Sequence, residues 1–217
     1  MLTLPDPPLL LLTDRRQARR PLADIVAAAM AAGCRWVSLR EKDLPQDEQV
    51  LLIRALLPLV RERGGKLMLH GDALLAKIAG TDGVHLSAGA DAIAARTQIG
   101  RDKLVGISIH TAAEAAAIDP GCVDYALAGP LFETASKPGY GPAIGHKGLL
   151  QISRAARVPV LAVGGINAAR VGELIAAGAA GVAVMGGVMR AADPAAEVAA
   201  LVATLTGSLA LSARGRC

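Results

Sequence analysis

Eight times along this chain a short apolar run stops at a polar residue or a glycine and gives way to an alanine-rich stretch of helix length. The runs are LLLL ending at Thr13-Asp14, WVSL at Arg40-Glu41-Lys42, KLML at His70-Gly71-Asp72, GVHL at Ser87, LVGISI at His110, YALA at Gly129-Pro130, VLAV at Gly164-Gly165 and VAVM at Gly186-Gly187. Apolar runs this short, alternating with helical segments, predict βαβ units and a parallel sheet buried on both faces. Eight units predict a closed α/β fold, a (β/α)8 TIM barrel, which carries its chemistry in the loops after the C-terminal ends of its strands. The eight stopping points are therefore the place to look for a site.

A chain of 217 residues, 53% of them hydrophobic, suits one compact barrel domain over 1–217 with short loops, since about 250 residues is usual for this fold. Cys34, Cys122 and Cys217 have neither the even count of a disulfide framework nor the spacing of a zinc site, which points to a reducing compartment and a cytoplasmic chain. Pro5, Asp6, Pro7 and Pro8 break up the N-terminus, and no run reads as approaching the roughly 18 apolar residues of a membrane span, so neither export nor membrane insertion is expected. Net charge is only +4, the basic cluster Arg15, Arg16, Arg19 and Arg20 has no interleaved aromatics, and the chain holds one Trp, two Tyr and one Phe. Nucleic-acid binding wants a basic stripe and stacking platforms, so it is not expected.

Helices are expected over 21–32, 46–63, 72–79, 91–98, 111–118, 146–156, 167–177 and 188–205. Pro21 suits the first turn of the first helix and Gly33 its stop, while Asn167 is placed to cap the seventh and Gly178 to end it. Residues after about 206 read as a flexible tail. The segment 130–145, with three prolines and three glycines, reads as a long loop on the catalytic face and a candidate lid.

Strand side chains alternate between the barrel interior and the helices. In the fifth run Val105, Ile107 and Ile109 belong against the helices, which turns Gly106, Ser108 and His110 inward; the same parity groups Ser38, Arg40 and Lys42, and Gly83, His85 and Ser87. The mouth thus becomes a cationic bowl of Arg40, Lys42, Ser108 and His110, with His70 and His85 as further candidates and Thr134 and Lys137 able to join from the long loop. Gly164-Gly165 and Gly186-Gly187 follow the seventh and eighth runs, where this fold often binds phosphate on backbone N–H groups ahead of helix N-termini. His110 has the residue type for general acid/base work near neutral pH. No metal and no cofactor are expected: Asp72 and Asp91 fall at helix starts, and Asp14 and Glu41 read as salt-bridge partners.

Together the stretches Ser38-Leu39-Arg40-Glu41-Lys42, Asp82-Gly83-Val84-His85-Leu86, Gly106-Ile107-Ser108-Ile109-His110 with Glu114, Asp124-Tyr125, Gly129-Pro130-Leu131-Phe132-Glu133-Thr134, Ser136-Lys137-Pro138, Val163-Gly164-Gly165-Ile166 and Gly181-Val182-Ala183-Val184-Met185 resemble the thiamine phosphate synthase and thiazole tautomerase (TenI) superfamily over nearly the whole chain. The synthase pattern has an Asn-Asp pair after the third strand and Gly-Gln-x-Asp after the fourth, whose aspartates hold magnesium for a pyrophosphate. Here those positions read His70-Gly71 and Ser87-Ala88-Gly89-Ala90, and Ser38 replaces the expected glutamine. The missing carboxylates make the chain more similar to the tautomerase branch.

That resemblance implies a thiazole phosphate tautomerase of thiamine biosynthesis. In it His110 moves a proton of a carboxythiazole phosphate to give the aromatic isomer, Gly164, Gly165, Gly186 and Gly187 hold the phosphate, and Arg40, Lys42 or Lys137 meets the carboxylate. The partner is then a small phosphorylated thiazole. The alternatives are a thiamine phosphate synthase with displaced magnesium ligands and a non-catalytic binder of thiazole or thiamine phosphates that regulates another protein. Copies of the same chain are a further candidate partner, since exposed and interface helix faces read alike in a sequence.

Overall fold

The computed structural model describes residues 2–133 and 143–214. Eight parallel strands close in chain order: β1 (Leu9–Leu12), β2 (Trp36–Leu39), β3 (Lys66–His70), β4 (Gly83–Leu86), β5 (Leu104–Ile109), β6 (Tyr125–Ala128), β7 (Val160–Val163) and β8 (Gly181–Val184), with β8 pairing back to β1. Between them lie α1 (Leu22–Ala31), α2 (Gln46–Arg61), α3 (Ala73–Ile78), α4 (Ala92–Ile99), α5 (Ala112–Ala116), α6 (Gly145–Ala155) and α7 (Ala168–Ala176), and after β8 come α8 (Gly186–Met189) and α9 (Pro194–Arg214). The fold is the (β/α)8 TIM barrel that the eight apolar runs predict.

Two cores follow from strand parity. Leu10, Leu12, Trp36, Met68, Leu104, Tyr125, Leu127, Leu161 and Ala183 fill the barrel, whereas Val37, Val105, Ile107, Ile109 and Val182 pack outward against the helices. In α1 the buried Leu22, Ile25, Val26, Ala29 and Met30 recur every three or four residues and form one stripe toward the sheet. Gly33, at φ +102, and Gly178, at φ +97, turn the chain out of α1 and α7 in the left-handed region that favours glycine.

Four local expectations need correction. Asn167 occupies the N-cap position of α7, but its side chain makes no capping bond. The helix expected over 188–205 is two helices, because Asp193 accepts from the Ala196 amide and Pro194 starts α9 where its missing N–H costs nothing. That second start carries α9 to Arg214, through the stretch expected to be a flexible tail. At 21 residues and a mean hydropathy of 1.5, α9 is long and apolar enough to cross a membrane by length and composition, against the reading of the sequence runs, although Val198, Leu201 and Leu205 are buried against the barrel's helices. Part of the expected 130–145 loop, Thr134 and Lys137 included, lies outside the described residues.

Candidate active site at the barrel mouth

A cavity of about 420 Å³ opens at the C-terminal ends of the strands. Arg40, Lys42, Ser108, His110, Gly164, Gly165, Gly186 and Gly187 all line it, joined by His70, Ser87, Glu133, Met185 and Arg190. Of the expected mouth residues that the structure describes, the cavity brings together all but His85, which lies beneath it. Glu133 and Arg190 had no strand-end signal; Arg190 sits one helical turn beyond Gly186 and donates to the Gln17 side chain.

The cationic side of the bowl is held by a buried carboxylate. Glu41, 2% exposed, accepts from the Thr13 hydroxyl at 2.7 Å and from the Arg15 amide and guanidinium at 3.1 and 3.2 Å. Thr13 in turn accepts from the Arg40 amide at 2.9 Å, so the loops after β1 and β2 are tied together on either side of Arg40. Arg15 also forks onto Asp43 with two bonds of 2.8 Å, and that guanidinium holds the Asp43 carboxyl down at about 2. Glu41 and Asp14, which ion-pairs with Arg16 at 3.8 Å, are thus salt-bridge partners as the sequence suggests.

The glycine side is shaped by backbone that other residues would strain. Gly164 and Gly165 have φ of +102 and +67, and a Cβ on Gly165 would lie 2.9 Å from Phe132 Cβ and 3.1 Å from the Glu133 carbonyl oxygen. Arg170 stacks 4.1 Å above the Phe132 ring and donates to the Gly165 carbonyl, which fixes this turn from below.

His110 lies at the end of β5 with Nδ1 2.6 Å from the Gly129 carbonyl oxygen. A carbonyl only accepts, so Nδ1 carries the proton and Nε2 is the basic nitrogen of the neutral ring. The His110 amide donates to Glu114, whose carboxylate also closes a capping box with Thr111 at the start of α5.

Below the cavity, His85 is fully buried, with Nε2 2.9 Å from Ser108 Oγ and Nδ1 3.1 Å from the Tyr125 hydroxyl. His70 packs against it with ring centroids 4.6 Å apart and the ring planes tilted by 45°. Desolvation first, then Lys42 and Arg40, push the His85 pKa down to about 3 from an ordinary 6.5. Above pH 6.5 the ring is neutral folded or unfolded; below it only the unfolded chain takes the proton, so stability falls as pH drops from 6.5 toward 3. One proton's linkage is about tenfold in the unfolding constant per pH unit. Urea unfolding of the native chain and of His85→Gln at pH 7.5 and pH 5 should show a smaller acid loss in the variant; equal losses would remove His85 as a source.

Comparison with known proteins gives this geometry a family. A family model described as thiamine monophosphate synthase matches residues 9–188. Relatives include the thiamine-phosphate synthase of Roseiflexus sp. strain RS-1, 43% identical over 94% of this chain and 87% of its own length. A putative thiamine-phosphate synthase of Geobacter sulfurreducens is 40% identical over 91% of this chain and 93% of its own. Among solved structures, thiamine phosphate pyrophosphorylase from Pyrococcus furiosus superposes with a TM-score of 0.82 at 28% identity, covering 93% of this chain and 96% of that one. These relatives carry the synthase name, so the expected leaning toward the tautomerase branch, which rested on the carboxylate-poor mouth, draws no support from them. With nearly the whole barrel matched, the chain belongs to the thiamine monophosphate synthase family.

Proposed function

We propose that the chain is a thiamine-phosphate synthase, joining a pyrimidine pyrophosphate to a thiazole phosphate in the cavity above the barrel. The observation that carries the reading is the 43% identity to a thiamine-phosphate synthase over 94% of the chain. The cavity is consistent with two anionic substrates, since cationic side chains line it at the end of β2 and glycine turns line it after β7 and β8. The turns suit the thiazole phosphate, by open backbone and close approach. Arg40, Lys42 and Arg190 suit the pyrophosphate, where fixed cations stabilise the charge that grows as the leaving group departs.

Magnesium, which the family resemblance implies, does not fit the described residues. It demands oxygen ligands in near-octahedral geometry. Among the described residues Glu133 is the one carboxylate lining the cavity, and no group of three His, Cys, Asp or Glu side chains is placed to hold a metal. Asp72 and Asp91 are occupied as helix caps, accepting from the Leu75 amide at 2.7 Å and the Ala94 amide at 2.9 Å. Asp72→Asn and Asp91→Asn should each cost at most about 1 kcal/mol of stability, read by urea unfolding, and leave turnover unchanged. A collapse of turnover in either variant would place a shifted metal ligand there.

A second reading is favoured by one observation: His110 presents a basic Nε2 at a mouth poor in carboxylates. In that reading the ring shifts a proton on a carboxythiazole phosphate, and His110→Ala lowers the proton-transfer rate by about 10²–10⁴ with thiazole phosphate affinity retained. Two parallel incubations separate the readings. Thiamine phosphate formed from the synthase substrates well above background supports the first; aromatisation of the carboxythiazole phosphate without thiamine phosphate formation replaces it with the second. Binding without turnover of either set would leave a non-catalytic binder.

A further inference from the structure

Ser108, His85 and Tyr125 form one hydrogen-bonded chain that runs from the cavity into the barrel core. Ser108 lines the cavity, whereas His85 and Tyr125 are both fully buried. The barrel register makes the contact, because His70, His85, Gly106 and Tyr125 stand side by side across β3 to β6. Gly106 is the gap that permits it: a Cβ there would lie 2.1 Å from Tyr125 Cζ. The Tyr125 ring therefore crosses over Gly106 and reaches a histidine two strands away.

The direction of the chain follows from the phenol. Among the described residues the Tyr125 hydroxyl has His85 Nδ1 as its one hydrogen-bond partner. Were Nδ1 protonated, the buried phenolic hydrogen would meet no acceptor, and such a loss is large enough that folded proteins avoid it. The phenol thus donates to Nδ1, and the neutral ring carries its proton on Nε2. Nε2–H donates to Ser108 Oγ, and the serine hydrogen turns away from His85, toward the cavity.

We infer that Tyr125 and His85 are positioning residues that fix Ser108 as a hydrogen-bond donor to an acceptor atom of the substrate. The inference rests on the cavity being the substrate site proposed above. Since His85 stays neutral down to about pH 3, the polarity of the relay does not reverse in the physiological range. A substrate analogue that offers Ser108 a C–H in place of an acceptor is rejected, because the serine hydrogen is then left unpaired.

The tautomer is read directly by ¹⁵N NMR of histidine-labelled protein, with the His85 signals assigned from their loss in His85→Gln. The expected spectrum shows Nε2 protonated and Nδ1 bare between pH 6 and 8; a protonated Nδ1 would overturn the inference. This arm needs no turnover, so it stands or falls separately from the proposed reaction. The kinetic arm uses Tyr125→Phe, which keeps the ring and removes the donor. Tyr125→Phe and Ser108→Ala should each lower kcat/KM about tenfold, as for one lost hydrogen bond, and the double variant should be no worse than Ser108→Ala alone. Losses that multiply in the double variant, with both proteins folded by thermal melt, would reduce Tyr125 to a packing role.

Discussion

Arg40→Ala combined with Lys42→Ala is expected to lower kcat/KM for thiamine phosphate formation by about 10²–10⁴, the largest effect the structure implies for a surface-accessible pair. Each side chain is a cation at the cavity rim, and a charge-assisted hydrogen bond is worth about 1.5–3 kcal/mol, or about one to two powers of ten in rate. The loss should fall mainly on kcat, because charge on the departing pyrophosphate grows toward the transition state. Global stability should change little, since the bonds that tie the β1 and β2 loops through the Arg40 backbone amide, Thr13 and Glu41 stay in place in the variant. Steady-state kinetics with both synthase substrates checks this; a loss confined to KM would place the cations on ground-state binding instead.

Gly165→Ala is expected to raise KM for the thiazole phosphate by about ten- to a hundredfold and to destabilise the fold. The added methyl would sit in the left-handed region, at about 1–2 kcal/mol, and 2.9 Å from Phe132 Cβ. Relief requires the turn to move away from Phe132 and Arg170, and the turn is the proposed seat of the phosphate. Kinetics and urea unfolding on the same preparation separate the two effects. An unchanged KM in a destabilised variant would move the phosphate elsewhere in the cavity.

The sequence carries the barrel because each strand is an apolar run with a hard polar stop, and it carries most of the mouth because parity alone turns Arg40, Ser108 and His110 inward. It does not carry contacts that depend on barrel register. His85 and Tyr125 lie 40 residues apart, and their meeting depends on Gly106 standing between them on β5. Arg190 is missed for a related reason: it follows an apolar helical turn, and only the fold brings that turn back over the cavity. The break before α9 was visible as Asp193-Pro194, a capping residue followed by a helix-starting proline, but the alanine-rich flanks mask it as one continuous helix. The carboxylate-poor mouth points to the tautomerase branch, whereas the relatives similar over more than nine-tenths of the chain, 94% and 91%, carry the synthase name.

The most direct test of the central claim, that this cavity joins two anionic substrates with side-chain cations in place of a protein-held metal, is the rate of thiamine phosphate formation with and without a chelator. The account predicts product well above background, at rates within about twofold of each other in the two conditions, since among the described residues Glu133 is the one carboxylate lining the cavity and the fixed cations meet the pyrophosphate instead. No product in either condition, or product that vanishes with the chelator and returns with magnesium, would contradict it.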